Sequence, residues 1–217
     1  MRNRWIWIVG IVAVVVIAIG VVLATTLNHP TSTPTPTPTA STPARTAQPT
    51  DTAPTGCLGG NARDANMLLA AQKAAPHTTN GAVEVAAALV RWTFRSPSFS
   101  TDEASEVSQK VISSSASDEF KNLQPTSNNS GGVVADGTPF YLSTAQGVFY
   151  LESTSSGAVT ISIGAAYVIN GAVSPQLRSS TTVAMVWEDG GWKAKSGSIT
   201  RTTEELFRIG TAFTGGC

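Results

Sequence analysis

The longest apolar run lies at the beginning of the chain. Residues 5–27 read WIWIVGIVAVVVIAIGVVLATTL and contain no charged side chain. As a helix, this segment reaches roughly 35 Å at about 1.5 Å per residue, which covers a hydrocarbon core of roughly 30 Å. We therefore expect residues 5–27 to form one transmembrane helix.

The charges that flank this run predict its orientation. Arg2 and Arg4 precede it, whereas the next basic residue, Arg45, lies well beyond its far end. The positive-inside rule places residues 1–4 in the cytoplasm and the rest of the chain outside, as a single-pass protein of the cell membrane. The alternative is a cleaved signal peptide, whose apolar core is normally shorter; it delivers the chain to the same side.

Residues 28–56 form a linker that is rich in threonine and proline. The segment includes TSTPTPTPTASTP and has neither an aromatic residue nor an aliphatic one larger than alanine. It cannot form a core, and its alternating prolines favour extended polyproline II. We expect a spacer, whose threonines either carry O-linked sugar or are bare.

In residues 57–217 the apolar spacing changes from helical to strand-type. Helical spacing occurs at residues 61–75, 80–96 and 100–114, with a short turn at 118–123. Strand-type spacing occurs at residues 140–142 and 147–152 around a small turn, then at 158–170, 179–187 and 191–199. Residues 202–213 return to helical spacing. The sequence predicts one α+β domain, with helices packed in a curved antiparallel sheet of four strands.

Two cysteines, Cys57 and Cys217, bracket this region. In an oxidising extracytoplasmic space they are expected to form one disulfide that joins the two ends of the domain. An intermolecular bridge and two free thiols are the alternatives. The sequence has no CxxC and no clustered histidines, so it predicts no metal site and no cofactor.

The remaining chemistry of the domain argues against a nucleic-acid partner and against catalysis. From Cys57 onward there are 11 basic and 13 acidic residues, which argues against a nucleic-acid partner, because such a partner requires a concentrated basic surface. No Ser/His/Asp set and no phosphate loop stands out, so we predict no catalytic residue and no enzyme. His77, the only histidine of the domain, fits a solvated loop better than a catalytic site.

Two groups of side chains are candidates for binding. A basic and aromatic cluster at the end of the second helical segment is a possible partner-binding surface: Arg91, Trp92, Phe94 and Arg95. Three tyrosines in strand segments are possible pocket residues: Tyr141, Tyr150 and Tyr167. Ordinary packing and a favourable helix C-terminus are the alternative explanations for both groups.

The order of helices followed by strands, ending in VAMVWEDGGWKAKSGSI at residues 183–199, resembles the nuclear transport factor 2-like superfamily. The resemblance covers residues 61–200. It implies a cone-shaped fold in which the sheet curls over the helices. In members of that superfamily that are enzymes, the mouth of the cone is the pocket.

Together with the N-terminal anchor, the layout is similar to inner-membrane scaffold subunits of type IV secretion and conjugation machines. It is also similar to membrane proteins associated with mycobacterial-type cell-entry transporters. The segment KAAPHTTNGAVEVAAALVRWTFRSP, at residues 73–97, looks like proteins of mobile elements in high-GC Gram-positive bacteria.

These resemblances imply a noncatalytic scaffold or assembly domain in a conjugation or type IV secretion apparatus. Its partners would be the membrane, other envelope-complex proteins and a possible second copy of the chain. The alternative is an extracytoplasmic module that binds a lipid or small molecule.

Overall fold

A computed structural model describes residues 51–126 and 128–217. The predicted cytoplasmic N-terminus, the transmembrane segment and the linker up to residue 50 lie outside these residues, so they stay predictions. Within the described part of the chain, no helix combines the length and the apolar character that a membrane crossing requires.

The described chain alternates helices and strands in an α+β order. The helices are α1 (Ala65–Ala74), α2 (Thr79–Thr93), α3 (Thr101–Lys110), α4 (Asp118–Lys121) and α5 (Thr203–Ile209). The strands are β1 (Arg95–Ser96), β2 (Phe140–Ser155), β3 (Ala158–Ile169), β4 (Ala172–Glu188), β5 (Gly191–Ser198) and β6 (Thr211–Ala212).

Side-chain caps set the starts of the helices. Ser100 and Glu103 form a complete capping box, so α3 begins where the sequence predicts. The first helix begins at Ala65 and not at residue 61, because the Asp64 carboxylate caps it. In the same way, the Thr202 hydroxyl caps α5, which begins one residue later than predicted.

The strands form a strongly curled antiparallel sheet in the order β1-β2-β3-β4-β5, with β6 paired to β2. The predicted α+β class with a curved sheet over helices is confirmed. The predicted number of four strands is wrong, because β1 and β6 add two-residue pairings to β2. Pairings this short leave no periodicity in the sequence, since two residues cannot establish an alternation.

The predicted turn at residues 145–147 is an irregularity inside one long strand, β2. The register with β3 shifts between Ser143 and Val148, so the chain bulges without reversing. At the bulge, the Thr144 N–H donates to the carbonyl of Cys217 at 2.9 Å. Cys217 therefore provides the hydrogen-bond acceptor that the Thr144 N–H lacks in the neighbouring strand at the bulge.

Strand β4 begins at Ala172, seven residues earlier than predicted. Asn170 and Gly171 have positive φ angles of 51° and 80°, and they connect β3 to β4 as a two-residue turn. The early part of β4 contains Pro175, a residue that is uncommon within strands, so the sequence does not predict a strand there. The register between β3 and β4 also shifts in this part, opposite Tyr167.

Helix α2 lies at the centre of the domain, in contact with α1 and with strands β2 to β5. Every residue from Gly81 to Trp92 is buried. The sequence shows one apolar face on this helix, whereas the structure covers all of its faces. Trp92 ends the buried stretch and stacks on Phe99 with ring centroids 4.3 Å apart.

Helix α5 packs on the opposite face of the sheet. It contacts β2, β3 and β4, and Leu206 is fully buried there. Phe207 lies over Gly164, where a Cβ atom would meet the Phe207 ring at 2.7 Å. A glycine in the middle of β3 thus allows the helix to approach the sheet.

Candidate functional site

A cavity of about 830 Å³ lies between the end of α2, the loop 129–133 and the C-terminal strands. Trp92 and Phe94 at the end of α2 and Phe120 of α4 give it an aromatic wall. Val133 and Ile199 also line it and are 48 % and 80 % exposed, respectively, so the cavity opens to solvent between aliphatic side chains. Its volume falls within the range of about 300–1,000 Å³ that is typical of small-molecule pockets.

The loop at one side of the cavity is anchored to the end of α2. The Asn129 amide donates to the Thr93 carbonyl at 2.9 Å and to the Ser98 hydroxyl at 3.1 Å. These bonds use both protons of the amide and hold the loop against the helix. The cavity therefore has a wall that the fold fixes in place.

Tyr167 brings a hydroxyl group to this largely apolar lining. Its side chain is buried, and its hydroxyl donates to the Ser130 carbonyl at 3.4 Å. Burial raises the pKa of Tyr167, so the phenol remains protonated at neutral pH. The Tyr167 hydroxyl oxygen can thus accept a hydrogen bond from a ligand without introducing a charge.

Both charged residues that line the cavity are arginines, and their surroundings differ. The Arg201 guanidinium binds both carboxylate oxygens of Glu152, at 2.6 and 2.7 Å, and also binds Glu205. Arg178 is exposed and lies over the Phe207 ring at 4.3 Å from its centroid. One cation is therefore neutralised by two carboxylates, while the other is held by stacking alone among the described residues.

Two buried polar atoms on cavity-lining residues have no hydrogen-bond partner among the described residues. They are the indole N–H of Trp92 and the hydroxyl of Ser180. Buried polar groups are normally satisfied in folded proteins. These two residues therefore retain hydrogen-bonding capacity close to the cavity.

The predicted disulfide between Cys57 and Cys217 is present, with Cα atoms 5.4 Å apart. It joins the segment before α1 to the chain terminus, which also pairs with the Thr144 region of β2. The prediction of an intramolecular bridge is confirmed for this structure.

The predicted basic and aromatic cluster is divided between the interior and the cavity. Arg91 is fully buried, and its guanidinium donates to the carbonyls of Gly56, Gly60 and Ala62. Burial, with a smaller effect of the nearby Arg63 cation, lowers the pKa of Arg91 to about 10. The side chain is therefore charged at neutral pH and holds the backbone of residues 56–62 in place. None of its surface is exposed.

The other three members of the cluster lie nearer to the cavity. Trp92 is also fully buried, and both Trp92 and Phe94 line the cavity. Arg95 is half-buried and forms a salt bridge with Glu103 at 2.7 Å. The partner-binding role of the cluster stays a prediction, and Phe94 and Arg95 are its half-buried members.

Of the three predicted pocket tyrosines, the structure brings only Tyr167 to the cavity. Tyr141 lies beneath the Arg63 guanidinium at 3.7 Å, and Tyr150 lies beneath Arg201 at 4.5 Å. Both of these rings pack against cations, and neither tyrosine is among the lining residues. Alternation along a strand gives the face of a residue but does not say which part of that face remains uncovered.

His77 is exposed, as expected of a loop residue, but it is not isolated. Its ring stacks on Trp187 at 4.1 Å, next to Trp192, whose indole N–H donates to the Pro76 carbonyl at 2.9 Å. The histidine thus fastens the loop after α1 to the β4–β5 hairpin. No group of three or more potential metal ligands is found within residues 51–126 and 128–217.

Sequence reasoning missed most of the cavity. Phe120, Arg178 and Ile199 line it but stand in segments with no distinctive motif. An available signal was the Asn170-Gly171 pair, a strong hairpin dipeptide that would have placed Arg178 in a strand. Nothing local in the sequence indicates that these three residues meet.

Comparison with known proteins yields no relative. No protein-family model, no curated protein and no solved structure matches this chain.

Proposed function

We propose that the domain formed by residues 57–217 binds an apolar small molecule or lipid on the extracytoplasmic side of the cell membrane. The observation that carries the proposal is the open cavity of about 830 Å³ with its aromatic wall. A concave apolar site with a few polar groups is the usual form of a small-molecule site. Tyr167 supplies one such group from within the lining.

The curled sheet over a central helix supports assignment to the nuclear transport factor 2-like superfamily, with the cavity at the mouth of the cone. The predicted anchor at residues 5–27 would tether the domain to the bilayer, with the segment rich in threonine and proline as the spacer. A tethered binding module of this kind fits the transporter-associated membrane proteins that the layout resembles.

Photo-crosslinking of the full-length protein in nanodiscs tests the proposal. The probe is hexadecanol with a diazirine group on its alkyl chain, and digestion with mass spectrometry locates the crosslinks. We expect them at the cavity lining, and we expect unlabelled hexadecanol to compete. Crosslinks spread evenly over the surface, or confined to residues 5–27, would refute the proposal.

Two tryptophan variants make this test specific. Thr181→Trp places a large ring in the cavity wall and should abolish the cavity crosslinks. Thr154→Trp introduces the same ring at an exposed position of β2 outside the lining and should leave them unchanged. Thermal unfolding of both variants verifies that they fold.

A second candidate is the scaffold role in a conjugation or type IV secretion apparatus. The exposed side chains of Val133 and Ile199 at the mouth favour it, because a partner segment could cover them. Copurification from native membranes tests this role. Recovery without any envelope-complex subunit or second copy, together with unaltered DNA transfer after gene deletion, would refute it.

A further inference from the structure

The charges around the cavity distinguish between classes of apolar ligand. Both charged residues of the lining are arginines, but Glu152 and Glu205 neutralise Arg201, so Arg178 is the cation of the lining without a carboxylate partner among the described residues. A cationic head group would be repelled there, whereas an anionic one would be attracted. The two arginines are not equally available to bind an anion, and this difference indicates where the head group of a ligand would lie.

Arg201 is already occupied. Its guanidinium donates to both oxygens of Glu152 and also binds Glu205, so three of its nitrogens face carboxylates. Glu152 is fixed in turn by the Ser162 hydroxyl at 2.6 Å. These contacts raise the pKa of Arg201, led by its hydrogen bonds to Glu152. A ligand would have to displace a carboxylate to bind here.

Arg178 is not paired with a carboxylate among the described residues. Its guanidinium carbon lies over the Phe207 ring, 4.3 Å from the ring centroid, which is within the range of a cation–π contact. Stacking positions the group and leaves its five N–H donors in the guanidinium plane free to bind an anion. Arg178 and the adjacent Ser179 both line the cavity, and Arg178 is exposed, so this cation is accessible from solvent.

We propose that the ligand is a single-chain amphiphile with an anionic head, whose alkyl chain occupies the cavity while Arg178 binds its carboxylate or phosphate. This inference rests on the proposed binding function and adds the class of ligand. The aromatic wall of Trp92, Phe94 and Phe120 accommodates the chain. The guanidinium of Arg178 fits a carboxylate or a phosphate in a bidentate manner.

Competition against the diazirine hexadecanol probe tests the inference with full-length protein in nanodiscs of phosphatidylcholine. The competitors form two pairs with matched chains: palmitate against hexadecanol, and lysophosphatidic acid against lysophosphatidylcholine. We expect each anionic compound to compete about tenfold more strongly than its partner without net negative charge. The pair with the larger ratio tells whether a carboxylate or a phosphate is preferred.

Arg178→Gln should weaken competition by palmitate and lysophosphatidic acid about tenfold and leave hexadecanol unchanged. Arg178→Lys, which keeps the charge, should restore part of the difference. The control is Arg208→Gln, which removes one exposed arginine of α5 outside the cavity lining and should have no effect. Unfolding curves confirm that all three variants fold.

The outcomes separate this inference from the proposed function. Equal competition by charged and uncharged partners, or an unchanged preference in Arg178→Gln, would overturn the anionic head group while leaving an apolar site in place. An equal loss in Arg208→Gln would overturn it too, because the effect would then be one of net charge. Absence of cavity crosslinks with every probe would refute the proposed function itself.

Discussion

Glu84 and Arg91, two turns apart on α2, hold the backbone on both sides of Cys57. The Glu84 carboxylate accepts from three backbone N–H groups in residues 55–58. The Arg91 guanidinium donates to three carbonyls in residues 56–62. One buried helix therefore fixes the segment that carries the first cysteine, and so positions the disulfide.

Glu84→Gln should destabilise the domain substantially, because a buried amide cannot accept the same set of N–H donors and leaves Arg91 without its nearby anion. We expect the free energy of unfolding to fall by about 3 kcal/mol. Urea denaturation followed by tryptophan fluorescence measures the change. The control, Glu119→Gln, alters an exposed carboxylate and should stay within about 0.5 kcal/mol of wild type. Equal effects in the two variants would contradict the role of Glu84.

Removal of the disulfide in the double variant Cys57→Ser, Cys217→Ser should lower the free energy of unfolding by about 2–5 kcal/mol. The cysteines are 160 residues apart, and the chain-entropy model gives a ceiling of about 5 kcal/mol for so large a loop. Reducing agent should shift the urea midpoint of wild type and leave that of the double variant where it is. Two alkylatable thiols in the native, unreduced protein would disprove the bridge.

The free energy of unfolding should fall at acidic pH as Glu188 becomes protonated. Hydrogen bonds from the Ser113 hydroxyl and the Ser114 N–H, together with Lys193, lower the pKa of Glu188 to about 2. Because the folded pKa lies below the unfolded value of about 4.3, the stabilisation is complete above the unfolded pKa and is lost as pH falls towards 2.

Unfolding free energies measured from pH 6 to pH 2 test this. Glu188→Gln should reduce the acid-dependent loss, whereas Glu119→Gln should retain the wild-type pH profile. A variant of Glu188 with the full wild-type pH dependence would show that other carboxylates govern the acid response.

Gly164→Ala should displace α5 from the sheet. The added Cβ would lie 2.7 Å from the Phe207 ring and 2.8 Å from a Val148 methyl group. Such overpacking should lower the free energy of unfolding by about 1–3 kcal/mol, which thermal unfolding measures. If α5 is displaced from the sheet, trypsin should cleave after Arg208 faster than in the wild-type protein.

Gly191→Ala is the matched control for that substitution. Its added Cβ would meet nothing closer than Gln72 at 3.5 Å, an ordinary contact. We expect a change below about 0.5 kcal/mol. A Gly164→Ala variant as stable as Gly191→Ala would show that α5 adapts without strain.

Several elements could be predicted from the sequence because their signals are local. Spacing of apolar residues located α2 and the long part of β3, the Ser100 and Glu103 pair located the start of α3, and the glycine-rich turn located the β4–β5 hairpin. Two cysteines, one at each end of the predicted domain, were enough to predict their pairing. The helices, strands and turns form because of interactions within a few residues. The disulfide could be predicted because each cysteine has only one other cysteine with which to pair.

Features that depend on residues distant in the sequence became visible only in the folded chain. It added β1 and β6, buried Arg91 inside the domain, and brought Tyr167 to the cavity while covering Tyr141 and Tyr150. A residue's period along a strand or helix fixes the direction of its side chain. Whether that side chain meets a packed layer, a cation or an open cavity depends on how the sheet curls over the helices, and no local pattern encodes that.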